Sequence, residues 1–106
     1  MKVLYNVTVN IDHEAHDDWV DWMQKHHIPD VMATGCFLES KMSRVLAQDM
    51  GGITYSIQYL APDMASYHKY VHQLAPALQQ EHTERYEGRF TAFRTILEVI
   101  HEEGQS

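Results

Sequence analysis

Between Val3 and Ile11 the chain alternates: Val3, Tyr5, Val7, Val9 and Ile11 fall on one side, and Leu4, Asn6, Thr8 and Asn10 on the other. A period of two predicts a half-buried strand. Asp12 stands where a helix N-cap belongs, and Glu14, Asp17 and Asp18 follow where the positive end of a helix dipole favours acids. Trp19, Trp22, Met23 and His26 recur at helical spacing, so a first helix should run to about His27. Pro29 biases Ile28 away from helical angles and opens a separate short turn from Pro29 to Thr34, closed by Gly35.

From Cys36 to about Ala47 the pattern is extended, and Met50-Gly51-Gly52 supplies the turn of a hairpin. The return strand sets Ile53, Tyr55, Ile57 and Tyr59 against Thr54, Ser56 and Gln58. Pro62-Asp63 opens a second helix with the apolar stripe Met64, Tyr67, Val71, Leu74 and Leu78. Pro76 lacks an amide donor and its ring clashes with the carbonyl of His72, so this helix should kink or restart there and continue to about Glu87, ending at Gly88. A last strand from Arg89 to about Ile100 precedes a polar tail.

The order is therefore β-α-β-β-α-β, the split βαβ arrangement of a ferredoxin-like α+β fold. With right-handed crossovers, both helices cover one face of a four-stranded antiparallel sheet. The 106 residues fit a single domain. Leu4, Leu60, one set drawn from Cys36, Leu38 and Met42, and either Phe90/Ala92/Ile96 or Phe93/Leu97/Val99 leave apolar groups on both sides of several strands. A sheet with two partly apolar faces and helices for only one calls for a second sheet, so a homodimer is expected.

Net charge is −7 and evenly spread. A phosphate backbone would be repelled by such a surface, so nucleic acid is not an expected partner. Nor is a membrane, because no apolar run approaches the ~20 residues of a spanning helix. The N-terminal MKVLYNVTVN enters a strand without a secretion-signal pattern, which makes a cytoplasmic location the expectation. Cys36 is the only cysteine; it excludes an internal disulfide and a thiolate-cage metal site, and small apolar packing is its expected role.

Several separated stretches, in order, carry a resemblance: LYNVTVNID, HIPDVMATGCF, GGITYSIQYL and HTERYEGRFTAFRTILEV. Together they resemble the bacterial family called domain of unknown function 4286. The resemblance implies the dimeric α/β-barrel form of the ferredoxin-like fold. It brings no established activity, substrate or cofactor, so no catalytic residue is carried over. Many dimeric α/β barrels are cofactor-free monooxygenases, haem-handling proteins or small-molecule binders, which is an analogy of fold alone.

Eight histidines raise the question of metal. His68 and His72 are spaced i, i+4, and His13 and His16 are spaced i, i+3. Neither pair has a third ligand fixed by sequence, so no metal and no cofactor are expected. A second set is His26, His27, Tyr55, Tyr59, His82, Tyr86, Arg89 and Arg94. Of these, His27, Tyr55, Tyr59, His82, Tyr86 and Arg94 are the candidate pocket, at the seam between helices and sheet beside the second piece of the broken helix. Imidazole and phenol there could orient a small planar ligand or move a proton from one, whereas packed tyrosines and helix-capping histidines would explain the same residues structurally. Arg94, a charge in mid-strand, either pairs with Glu98 or lies among Asn6, Ser56 and Gln58 inside the barrel. The functional expectation is a homodimeric small-molecule-binding or regulatory module. The alternative is a cofactor-independent, monooxygenase-like enzyme acting on a small aromatic or phenolic substrate.

Overall fold

A computed structural model describes residues 1–46 and 51–104. Its elements are β1 (Val3–Ile11), α1 (His16–Trp22), a π-helical turn (Met23–His27), α2 (Ile28–Ala33), β2 (Glu39–Arg44), β3 (Ile53–Ala61), α3 (Met64–Lys69), a second π-helical turn (Tyr70–Leu74), α4 (Ala75–Arg85) and β4 (Phe90–Glu98). The strands form one antiparallel sheet in the order β2-β3-β1-β4. This is the ferredoxin-like α+β arrangement, with the first and third strands central.

Register assigns the two faces. Val3, Tyr5, Val7, Val9 and Ile11 lie opposite Ala61, Tyr59, Ile57, Tyr55 and Ile53 of β3. On the other side of β1 they pair with Glu98, Ile96, Arg94, Ala92 and Phe90 of β4. This face packs on the helices, and Val3, Ile11, Trp19, Val31 and Ala61 are at most 1% exposed. The opposite face carries Leu60, Leu4 and Leu97 in one row across three strands, with Phe93 beside Thr8. Phe93 and Leu97 are exposed. Between the apolar groups runs a polar set in which Ser56 Oγ donates to Asn6 Oδ1 (2.5 Å) and Asn6 Nδ2 donates to Thr8 Oγ1 (3.1 Å). The choice left open for β4 is thus resolved: Phe93 and Leu97 are on the open face, Phe90 and Ala92 on the covered one.

Four expectations need correction. Asp12 does not cap α1; a turn intervenes, and Asp12 instead accepts from Arg89 Nε (3.3 Å) while its amide donates to the Arg89 carbonyl (2.9 Å). The first helix does not stop at His27 but continues through a π turn into α2. Strand β2 is shorter than the Cys36–Ala47 pattern, running over Glu39–Arg44, and β4 spans Phe90–Glu98 rather than Arg89–Ile100. Of the expected hairpin turn, Met50 lies outside the described residues, as does Ala47. Gly52 of that turn has φ +67, and a Cβ there would collide with Asn10 Oδ1 and the Ile11 carbonyl, which requires glycine.

The two π turns share a cause. Each is followed by one residue and then a proline: Ile28-Pro29 after the first, Ala75-Pro76 after the second. A proline in a helix interior leaves the carbonyl four residues back without a donor and crowds it. Widening the turn before the proline relieves the clash, and the Ile28 and Ala75 amides donate five residues back, to Met23 and Tyr70. The expected interruption at Pro76 is therefore present as a widened turn, with Pro76 in the first turn of α4, where a missing amide costs nothing. The extra residue also resets phase. Trp19, Met23, His27 and Val31 are spaced by four and all are buried, whereas successive steps of four drift by about 40° in a regular α-helix.

Candidate functional site

Both π turns and α4 meet the sheet above Val7, Ile57 and Ala92 and leave a cavity of about 50 Å³. Its floor is hollow because valine, isoleucine and alanine stand there instead of the tyrosines that fill the neighbouring positions. Met23 and His27 come from the first π turn, Tyr70 from the second, and His82 from α4. Arg94, on the edge strand β4, stands exposed at the rim. Among the described residues, no aspartate or glutamate lines the space. Its volume suits a few waters, a small molecule or the head group of a larger one, and is well below the several hundred Å³ that enclose a drug-sized ligand.

The two histidines are held firmly. Trp19 Nε1, which can only donate, bonds to His82 Nε2 at 2.9 Å in a buried pair. That bond fixes His82 as the tautomer with its hydrogen on Nδ1. Phe90 meets the His82 ring edge-on at 4.5 Å between centroids. His27 stacks on Trp22 at 5.2 Å and faces His82 at 5.6 Å. His27 Nδ1 is sealed from solvent and has no hydrogen-bond partner. Burial pushes the His27 imidazolium down to a pKa of about 4, with Asp30 opposing and Arg94 assisting. His82 is also lowered to about 4, by burial first and then by His27 and Arg94. Both rings are neutral at pH 7. Burial raises the Tyr70 phenol above its ordinary value, and neighbouring Tyr5 adds to the shift.

Of the six residues expected to form the pocket, His27, His82 and Arg94 line this cavity and Tyr55, Tyr59 and Tyr86 do not. Tyr55 and Tyr59 share the face of Ile57 but sit two residues to either side, a displacement of about 6.6 Å along a strand. Tyr55 hydroxyl bonds to His16 Nε2 at 2.6 Å, and Tyr59 packs against Phe37 at 5.2 Å. Tyr86, one turn beyond His82, donates to Asp18 Oδ2 (2.7 Å) and accepts from Arg85 Nε (3.2 Å). Both expectations for Arg94 are corrected: its strand position opposite Val7 places it on the helix side, away from Asn6, Ser56 and Gln58, and its Nε donates to the Tyr5 hydroxyl at 3.0 Å, with no ion pair to Glu98 among the described contacts. His26 is exposed, and Arg89 is engaged with Asp12 and Glu14 on the surface. Tyr5, Trp19, Met23 and Tyr70 belong to the site and were not singled out. The step of four from Trp19 to Met23 to His27 was the available signal.

Cys36 is buried as packing. The rings of His68 and His72 lie 6.0 Å apart on an exposed surface. Among the described residues, no three or more His, Cys, Asp or Glu side chains converge as a metal site. Among the described residues, too, no helix is long and apolar enough to cross a membrane.

The family model described as "Domain of unknown function (DUF4286)" matches residues 2–100. The chain belongs to this family. No curated protein matches this DUF4286 chain. Among solved structures it is similar to HapK from Hahella chejuensis, at 12% identity and TM-score 0.74, covering 100% of this chain and 99% of that one. It is also similar to a dimeric ferredoxin-like protein from an uncultured marine organism, at 16% identity and TM-score 0.70 over 96% and 98% of the two chains. A third is SnoaB, a cofactor-independent oxygenase from Streptomyces nogalater, at 10% identity and TM-score 0.71 over 98% of each chain. At such identities these likenesses establish the fold of the DUF4286 chain and nothing further.

Proposed function

We propose that the protein is a small-molecule-binding module that works as a homodimer, with its ligand seated in the seam between His27, His82 and Arg94. The observation that carries this reading is a cavity of about 50 Å³ walled by two neutral imidazoles, one bonded to the Trp19 indole and the other stacked on Trp22. Both π turns contribute side chains to it, and such turns occur often at functional positions. A test is ligand-observed NMR with a library of small fragments, repeated on Ala92→Val, which adds bulk to the cavity floor. Binding by the native protein that Ala92→Val abolishes is expected. Finding no fragment whose binding depends on Ala92 would overturn the reading.

The homodimer reading rests on the open face of the sheet, where Phe93 and Leu97 are exposed beside the half-buried Leu4. Pairing of two such faces about a two-fold axis would leave the helices and both seams outside. Light scattering should give twice the 12.4 kDa chain mass. Phe93→Glu should give the monomer with its circular dichroism unchanged.

A second reading, a cofactor-independent enzyme acting on a small phenol, has one observation in its favour. Two imidazoles that stay neutral at pH 7 can accept a proton from a bound ligand. The likeness to SnoaB, a cofactor-independent oxygenase, accords with this. Oxygen uptake on adding an electron-rich phenol, lost in His27→Phe, would favour the enzyme; binding without uptake would favour the module.

A further inference from the structure

We infer that the ligand of the seam is a small monocarboxylate, its carboxylate held by the His82 and His27 ring N–H groups and the Arg94 guanidinium. This deepens the small-molecule reading and rests on it. The protein's own hydrogen bonds leave a defined set of donor and acceptor roles unused at the cavity.

His82 Nε2 spends its lone pair on the Trp19 indole, so the ring can offer only its Nδ1 hydrogen. His27 has a sealed Nδ1 without a partner. A buried lone pair left unused is less costly than a buried N–H left unused, which places the His27 hydrogen on Nε2. Arg94 uses Nε on the Tyr5 hydroxyl, and its two terminal nitrogens have no protein partner among the described contacts. Tyr5, having accepted from Arg94, keeps its own hydrogen to donate. The groups so assigned are donors, the Tyr70, Gln79 and Thr83 side chains that also line the cavity can each donate as well as accept, and among the described residues no acidic side chain lines it. The site therefore holds one positive charge and no negative charge, inside a protein whose net charge is −7.

An acceptor-only ligand with a single negative charge complements this set. A carboxylate has two oxygens in one plane and matches the planar fork of an arginine. Phosphate, with up to two negative charges, exceeds the single positive charge of the site. The cavity of about 50 Å³ has room for a carboxylate and a short chain. The indole of Trp19 and the carboxylate act from opposite sides of one imidazole: the former fixes the tautomer that the latter needs.

The test uses propionate, its neutral counterpart propionamide, and inorganic phosphate, each titrated into the full chain labelled with ¹⁵N in its histidine rings. Propionate should shift the His27 and His82 ring nitrogens saturably, at least tenfold more tightly than propionamide or phosphate. Arg94→Met should weaken propionate at least tenfold while leaving the His82 tautomer signature unchanged, and Arg94→Lys should restore part of the affinity. Equal binding of propionamide, or binding of phosphate in place of propionate, would overturn the inference. So would propionate affinity unaltered in Arg94→Met. If Ala92-dependent fragments bind and propionate does not, the inference fails while the seam remains a binding site. If nothing binds in an Ala92-dependent way, both fall together.

Discussion

The helix-covered face of the sheet has two ends that solve the same packing problem differently. At one end Phe37 lies against Tyr70 (4.8 Å), Tyr59 (5.2 Å) and Tyr5 (6.2 Å), and flat rings fill the space between helices and strands. At the other end His27 and His82 occupy equivalent depth beside Trp19 and Trp22, and a hollow remains over Val7, Ile57 and Ala92. The aromatic end is held by shape and dispersion, which reward closeness. At the histidine end one directed bond, from the Trp19 indole, holds His82, and stacking on the Trp22 indole holds His27. A set of side chains fixed from behind can border an empty space without collapsing into it.

The widest separation between the two ends should come with acid. Folded His27 and His82 titrate near 4, against 6.5 for the free side chain. Their depressed values mean that the unfolded chain binds more protons between these limits. Stability from this pair is thus complete above pH 6.5 and is lost as pH falls toward 4, on the order of 5 kcal/mol for the two together. Asp30 and Arg94 act on the His27 ring in opposite senses, and Arg94 also lowers His82. Urea unfolding at pH 7 and pH 4.5 should show the drop, and His27→Phe should make it shallower; an unchanged midpoint in the native protein would erase the distinction between the ends.

Removing a ring from the filled end comes next. Phe37→Ala should cost about 3–5 kcal/mol at pH 7, with its pH dependence untouched. Adding bulk separates the ends in the other direction. Ala61→Leu, at a fully buried site, should cost about 1–3 kcal/mol by overpacking. The smallest effect is expected for Ala92→Val, within about 0.5 kcal/mol, because the cavity accepts the added methyl groups. Equal penalties for Ala61→Leu and Ala92→Val in thermal unfolding would mean that the hollow is not available space.

Strand assignments and chain order were readable because alternation is a local property: Ile53, Tyr55, Ile57 and Tyr59 announce one face without help from elsewhere. Half of the site was also visible, since His27 and His82 flank the helix–sheet seam that βαββαβ topology creates. Tyr55, Tyr59 and Tyr86 were drawn into it because a shared face does not specify a neighbour; His16 and Asp18, both in α1, take two of those hydroxyls through contacts far apart in sequence. Arg94 was misplaced by counting: parity along β4 depends on its register with β1, which sequence alone did not fix. Pro29 was read as ending one helix and Pro76 as a kink or restart in the other, and in both the chain continues through the proline by widening a turn.

Those widened turns have an implication for how such a domain changes over generations. A π turn is a helix with one surplus residue, so loss of a single codon restores the regular repeat and swings every later side chain around by about 100°. In α2 or α4 that change would re-aim a whole helical segment while leaving the four strands and their pairing as they are. A lineage can therefore exchange the groups presented at the seam by gaining or losing one codon in a helix, without rebuilding the sheet beneath it.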